Sequence, residues 1–137
     1  VKVRFVPDSV SPLFGGESLA PAVLRGKRVI AFCGIAHPER FTEMLKEMGI
    51  EILDNITFPD HHRYTGGDLQ EIRDRSDRSG ASMMLTTEKD AARLASQAGE
   101  PSLESLPVYF VRIRTEIVEG RALLHSLLDR VANGAAA

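Results

Sequence analysis

The segment Phe58-Pro59-Asp60-His61-His62-Arg63-Tyr64 places a carboxylate, two imidazoles and a guanidinium directly after an apolar run. A histidine titrates near neutrality and can carry a proton or donate to an anionic oxygen, and a neighbouring carboxylate can fix its tautomer. Acid-base work or phosphate contact by Asp60, His61 and His62 is one reading of the segment. A polar turn capped by Asp60, with solvated histidines, is the other. A metal site is not expected: adjacent histidines cannot both face one ion from a regular helix or strand, and neither HExxH nor a second histidine cluster is present. Thr86-Thr87-Glu88-Lys89-Asp90 sets two hydroxyls and an ammonium at a predicted helix start, where unpaired amides and the helix dipole favour an anion. Thr87 and Lys89 are therefore candidates for contact with a substrate or nucleotide phosphate, although Thr87 and Asp90 are also what any well-capped helix uses. In Gly34-Ile35-Ala36-His37-Pro38-Glu39-Arg40, Gly34 permits close approach of a backbone or ligand. His37 and Arg40 either point at that ligand or, for Arg40, pair with Glu39 or Glu43 on a solvated face.

Three such stretches need a scaffold that gathers them, and the hydrophobic pattern supplies one. Residues 29–33 form a continuous apolar strand. A helix follows from Pro38, with Phe41, Met44, Leu45 and Met48 on one face and Gly49 as its stop. Residues 50–58 read as a second strand, after which Asp68 and Glu71 are expected as N-cap and N3 of a weakly docked helix whose inward face is Leu69 and Ile72. Residues 81–87 give a third strand, and Thr87 and Asp90 open a helix carrying Ala91, Leu94, Ala95 and Ala98. Residues 108–120 give a fourth strand that turns polar-alternating beyond Arg112, and a last helix presents Leu124, Leu127, Leu128 and Val131.

Apolar strands separated by helices predict an α/β three-layer sandwich with a mainly parallel sheet of about four strands and right-handed crossovers. The opening strand, residues 1–6, alternates instead and is expected to close at Pro7 and Asp8. Its natural partner is the polar-alternating end of the fourth strand, which predicts a projecting two-stranded antiparallel ribbon. Residues 1–24 are thus expected to be ribbon strand and connector, and residues 25–137 the α/β domain. Ligands bind beyond the carboxyl ends of parallel strands, so the three polar stretches are predicted to share one rim.

Composition narrows the function classes. With 137 residues, 43% of them hydrophobic, the chain can bury a core of its own. A formal net charge of -2 gives no support for general nucleic-acid binding. Cys33 is the sole cysteine, which excludes an internal disulfide framework and a cysteine-rich zinc site and fits a reducing compartment; it is expected to be buried. No run of about 18 apolar residues occurs. Neither GxxxxGK[ST], GxGxxG nor GxSxG is found, so no complete enzyme is visible, and the strand-like start is expected to be the interior of a longer protein.

Four segments in order, AFCGIAHPERF (31–41), FPDHHRYT (58–65), LTTEKDAARL (85–94) and LPVYFVRI (106–113), closely resemble the C-terminal domain of the tetraacyldisaccharide 4'-kinase family, the lipid A 4'-kinases of Gram-negative bacteria. The resemblance covers nearly the whole chain, and VKVRFVP looks like that family's inter-domain ribbon. It implies a kinase that moves the γ-phosphate of ATP to the 4' hydroxyl of a tetraacyldisaccharide 1-phosphate, at the cytoplasmic face of the inner membrane. It also implies an N-terminal P-loop domain as partner, holding ATP, Mg2+ and the catalytic aspartate, so that no cofactor is expected on this chain alone and the chain alone is expected to be inactive. By the same resemblance His61 matches the histidine that reaches the active site on domain closure, with Asp60 its motif neighbour and His62 beside it. Two alternatives remain: a standalone non-catalytic α/β binding module, and a phosphoesterase of the type named for Asp-His-His, which would need further aspartates where Gly34 and Thr86 stand.

Overall fold

In the computed structural model of the protein, which describes residues 2–96 and 106–119, the apolar run after Arg28 becomes strand β2 (Arg28–Cys33). Strands β3 (Glu51–Thr57) and β4 (Met83–Thr87) flank it, both parallel to it, and β5 (Val108–Glu119) runs parallel to β4. Strand β1 (Lys2–Pro12) completes one five-stranded sheet of order β1-β5-β4-β2-β3, as the antiparallel partner of β5. Arg4 meets Glu116, and the Leu13 amide donates to the Val108 carbonyl, so late residues of one strand face early residues of the other.

A strand buried on both faces must fill two cores, and β2 does so by alternation. Val29, Ala31 and Cys33 join Phe41, Leu45 and Met48 around helix α1 (Pro38–Glu47). Ile30 and Phe32 join Leu69 and Ile72 of helix α2 (Gly66–Ser79) and Leu94 of helix α3 (Glu88–Ala95) on the other face. The expected helix-sheet-helix sandwich is therefore present. Cys33 is buried, and burial first, then the nearby Asp90 charge, pushes its thiol up to about 11. It packs as a small apolar side chain. Chain contacts define two compact units, Val1–Val6 with Ile113–Ala137, and Pro7–Arg112, the second holding both cores. Among the described residues no helix is long and apolar enough to cross a membrane.

Three local expectations are corrected. Strand β1 does not close at Pro7 but continues to Pro12. As the edge strand of the sheet it can dispense with the ladder bond that a proline removes. Much of the expected connector is therefore strand, with Val10 wholly buried and bridged to Leu19. Helix α2 starts at Gly66, not after Asp68: Thr65 is the N-cap, its hydroxyl accepting from the Asp68 amide while the Asp68 carboxylate accepts from the Thr65 amide. That reciprocal box outweighs the poor helix propensity of Gly66 and Gly67. Arg40 is exposed, and the ion pair near its helix start joins His37 to Glu39 at 3.4 Å. Ala98 and the last predicted helix lie outside the described residues.

The narrow apolar face of α2, Leu69 and Ile72, is supplemented by Arg75, which grips Asp54 of β3 through Nε at 2.7 Å and Nη2 at 2.6 Å. That bidentate bond holds the Asp54 carboxyl below the usual range. A depressed folded value means the pair stabilises above the unfolded carboxyl value and ceases to do so as pH falls through the folded one. Arg75→Met is accordingly expected to cost about 0.5–1 kcal/mol at pH 7 and progressively less as the pH falls below the ordinary carboxyl range, read by urea unfolding across that span. A cost that persists in acid would mean that packing, not charge, holds this contact.

Candidate functional site

The sheet order reverses between β2 and β4, since β3 follows β2 on one side and β4 and β5 lie on the other. In α/β sheets the crevice outside the strand ends at such a reversal is the usual ligand position. Here Asp90, wholly buried in the first turn of α3, spans it. Its Oδ1 accepts from the Gly34 amide at 2.9 Å, the Tyr64 hydroxyl at 2.9 Å and Arg93 Nη1 at 3.0 Å, and its Oδ2 accepts from the Thr87 hydroxyl at 2.5 Å. One carboxylate thus ties together the loops after β2, β3 and β4. The three polar stretches do share one rim.

Gly34 carries this convergence because it lacks a Cβ. A Cβ there would sit 2.9 Å from the Pro59 carbonyl oxygen and 3.0 Å from the His62 Cβ, closer than backbone and side chain tolerate. The approach that Gly34 permits is that of the protein's own 58–64 loop. Its carbonyl accepts from the His61 amide at 3.1 Å and from Arg93 Nη1 at 2.8 Å, so both polar groups of the residue are engaged internally.

The two histidines have opposite fates. His62 is half-buried, stacked on Phe58 with ring centroids 4.5 Å apart, and its Nε2 lies 2.8 Å from Asp68 Oδ2. Burial works against ionisation of Asp68, yet hydrogen bonds from His62 and from Thr65 hold its carboxyl below the usual range. His62 therefore fastens the loop to α2. His61 has a φ of +61°, a left-handed conformation, and its imidazole is 84% exposed, with Nε2 3.5 Å from Asp60 Oδ2. That separation is longer than a side-chain hydrogen bond. Each histidine faces a different carboxylate, and among the described residues no group of three or more His, Cys, Asp or Glu side chains could hold a metal ion.

Thr87 caps α3, accepting from the Asp90 amide at 3.1 Å while it donates to the same residue's carboxylate, so its hydroxyl is committed to the cap. Thr86 is buried and donates to the Phe32 carbonyl at 2.8 Å. Lys89 stands exposed on the first turn of α3. A cleft of about 500 Å³ opens beside the loop, lined by His61, His62, Arg63, Tyr64, Arg93 and Ser96. Its cationic lining suits an anion. Burial, then the charge of Asp90 and the bond to it, push the Tyr64 hydroxyl far up, so it acts as a donor throughout the ordinary pH range.

Tyr64, Arg93 and the central role of Asp90 are not picked out by motif reading. Asp90 had a sufficient local explanation as a helix cap, and its long-range partners Gly34 and Tyr64 lie 56 and 26 residues away. The one available signal was the i, i+3 spacing of Asp90 and Arg93 on a helix.

Comparison with known proteins points one way. The family model described as tetraacyldisaccharide-1-P 4'-kinase matches residues 2–132. A tetraacyldisaccharide 4'-kinase of Anaeromyxobacter sp. (strain K) is 40% identical over 129 residues, which is 94% of this chain and 34% of that protein. Its counterpart in Rhodopseudomonas palustris (strain BisA53) is 43% identical over 113 residues, 79% of this chain and 33% of that protein. The crystal structure of LpxK from Aquifex aeolicus in complex with ATP superposes with a TM-score of 0.56 at 22% identity, covering 95% of this chain and 35% of that one. The chain therefore spans about a third of the length of the curated relatives it matches.

Proposed function

The chain belongs to the tetraacyldisaccharide-1-P 4'-kinase family, and from that membership we propose that it is the C-terminal, closing part of a lipid A kinase. In this reading the intact enzyme transfers the γ-phosphate of ATP to the 4' hydroxyl of a tetraacyldisaccharide 1-phosphate at the cytoplasmic face of the inner membrane. A preceding P-loop domain binds ATP and Mg2+. The metal, when bound there, neutralises charge on the transferred phosphoryl group.

The observation that carries the chemical reading is His61: an imidazole presented to solvent from a left-handed backbone position, on the rim where α/β sheets take ligands. Phosphoryl transfer needs positioning and charge stabilisation more than covalent chemistry, and a proton-accepting group must orient the attacking hydroxyl. His61, with Asp60 beside it, is suited to that task or to donating to a phosphoryl oxygen once the two domains close. His62 serves by holding the loop. Arg63 and the exposed Lys89 are cations available to an anionic substrate.

The test is His61→Ala in the intact kinase, assayed by phosphate transfer from ATP to the tetraacylated disaccharide. A fall in kcat with little change in the KM for ATP is expected; unchanged turnover at saturating substrates would remove His61 from the mechanism.

A further inference from the structure

We propose that Asp90 and Arg93 are positioning residues for His61, acting through the carbonyl of Gly34. The inference rests on the reading of His61 given above and adds how that imidazole is aimed. The ring is exposed and its neighbouring carboxylate is itself on the surface, so packing does not orient it. Its aim comes from the backbone. A side-chain-bearing residue keeps a left-handed φ only where the surroundings hold it, and the His61 amide is held by the Gly34 carbonyl at 3.1 Å.

That carbonyl is not free to move. Arg93 Nη1 donates to it at 2.8 Å and to Asp90 Oδ1 at 3.0 Å, while the same Oδ1 takes the Gly34 amide at 2.9 Å. One ion pair therefore grips Gly34 at both its N–H and its C=O. A Cβ-free residue is required between them, because the His61 loop passes within contact distance of that position. Among the described residues no buried side-chain nitrogen or oxygen lacks a partner, so removing one member of this network leaves another without its bond. Arg93 also lines the cleft beside His61. The rival reading is that its guanidinium touches the ligand directly.

The experiment compares Arg93→Gln, Arg93→Lys, His61→Ala and the double variant Arg93→Gln/His61→Ala in the intact kinase, with amide hydrogen exchange on the 137-residue chain. Arg93→Gln is expected to lower kcat at least tenfold at unchanged KM for ATP, and to speed exchange at the His61 amide at least tenfold while the β2 amides, which report the fold, stay protected. Arg93→Lys should restore part of both, since an ammonium can still donate to the carbonyl. The double variant should turn over no more slowly than His61→Ala alone. Multiplicative losses in the double variant would show that Arg93 works independently of His61 and overturn the proposal, as would an unchanged His61 amide. If His61→Ala alone leaves kcat intact, the reading of His61 falls instead, and the amide result decides the coupling by itself.

Discussion

Replacing Asp90 with alanine is expected to lower the unfolding free energy by about 3–5 kcal/mol, the usual cost of removing one partner of a buried ion pair. Four donors lose their acceptor at once: the Gly34 amide, the Tyr64 hydroxyl, the Thr87 hydroxyl and Arg93. Water cannot take over, because the carboxylate is wholly buried. Asparagine should cost less, about 1–3 kcal/mol. Its carbonyl oxygen can serve the three donors that share Oδ1, while its NH2 takes the place of the oxygen that accepts from the Thr87 hydroxyl, so that bond and the charge opposite Arg93 are lost. Urea unfolding of the two variants checks this ordering. A cost below about 1 kcal/mol for alanine would show that the hub is not a source of stability.

His61 should respond in the opposite sense for stability and for activity. A left-handed φ costs a side-chain-bearing residue about 1–2 kcal/mol, and glycine does not bear that cost. After the extra entropy glycine gains in the unfolded chain, His61→Gly is expected to leave stability unchanged or raise it by about 1 kcal/mol. His61→Ala keeps the strain and should not be stabilising. In the intact kinase both variants are expected to lower kcat by about 10²–10⁴-fold, the usual contribution of a positioned acid-base group. A gain in stability paired with a loss of turnover would identify strain retained for function. A loss of stability in His61→Gly would instead mean that the imidazole packs usefully where it is.

Much of the sandwich was legible because its signals are local. The unbroken apolar run of β2, the 3.6-residue spacing of Phe41, Leu45 and Met48, and the cap at Thr87 each report their own element. The extent of β1 was not legible, since proline rules differ between edge and central strands and edge status is a property of the finished sheet. Gly66 and Gly67 likewise hid the start of α2, which Thr65 and Asp68 determine together. In the site, the polar loop after β3 was visible from residue types alone. The difference between His61 and His62 was not: one residue's left-handed backbone and the other's stacking on Phe58 depend on the loop folding over Gly34. Gly34 and Thr87, expected as ligand contacts, each make an internal hydrogen bond to Asp90 that residue types alone did not disclose.

The pairing of β1 with β5 has a consequence for biosynthesis. Arg4 and Glu116 are 112 residues apart, so β1 leaves the ribosome long before its partner strand exists. At about 5–20 residues per second, the wait is on the order of ten seconds. During that interval its unpaired backbone and the exposed Phe5 are open to other chains. Nascent-chain solubility should therefore improve once translation passes β5.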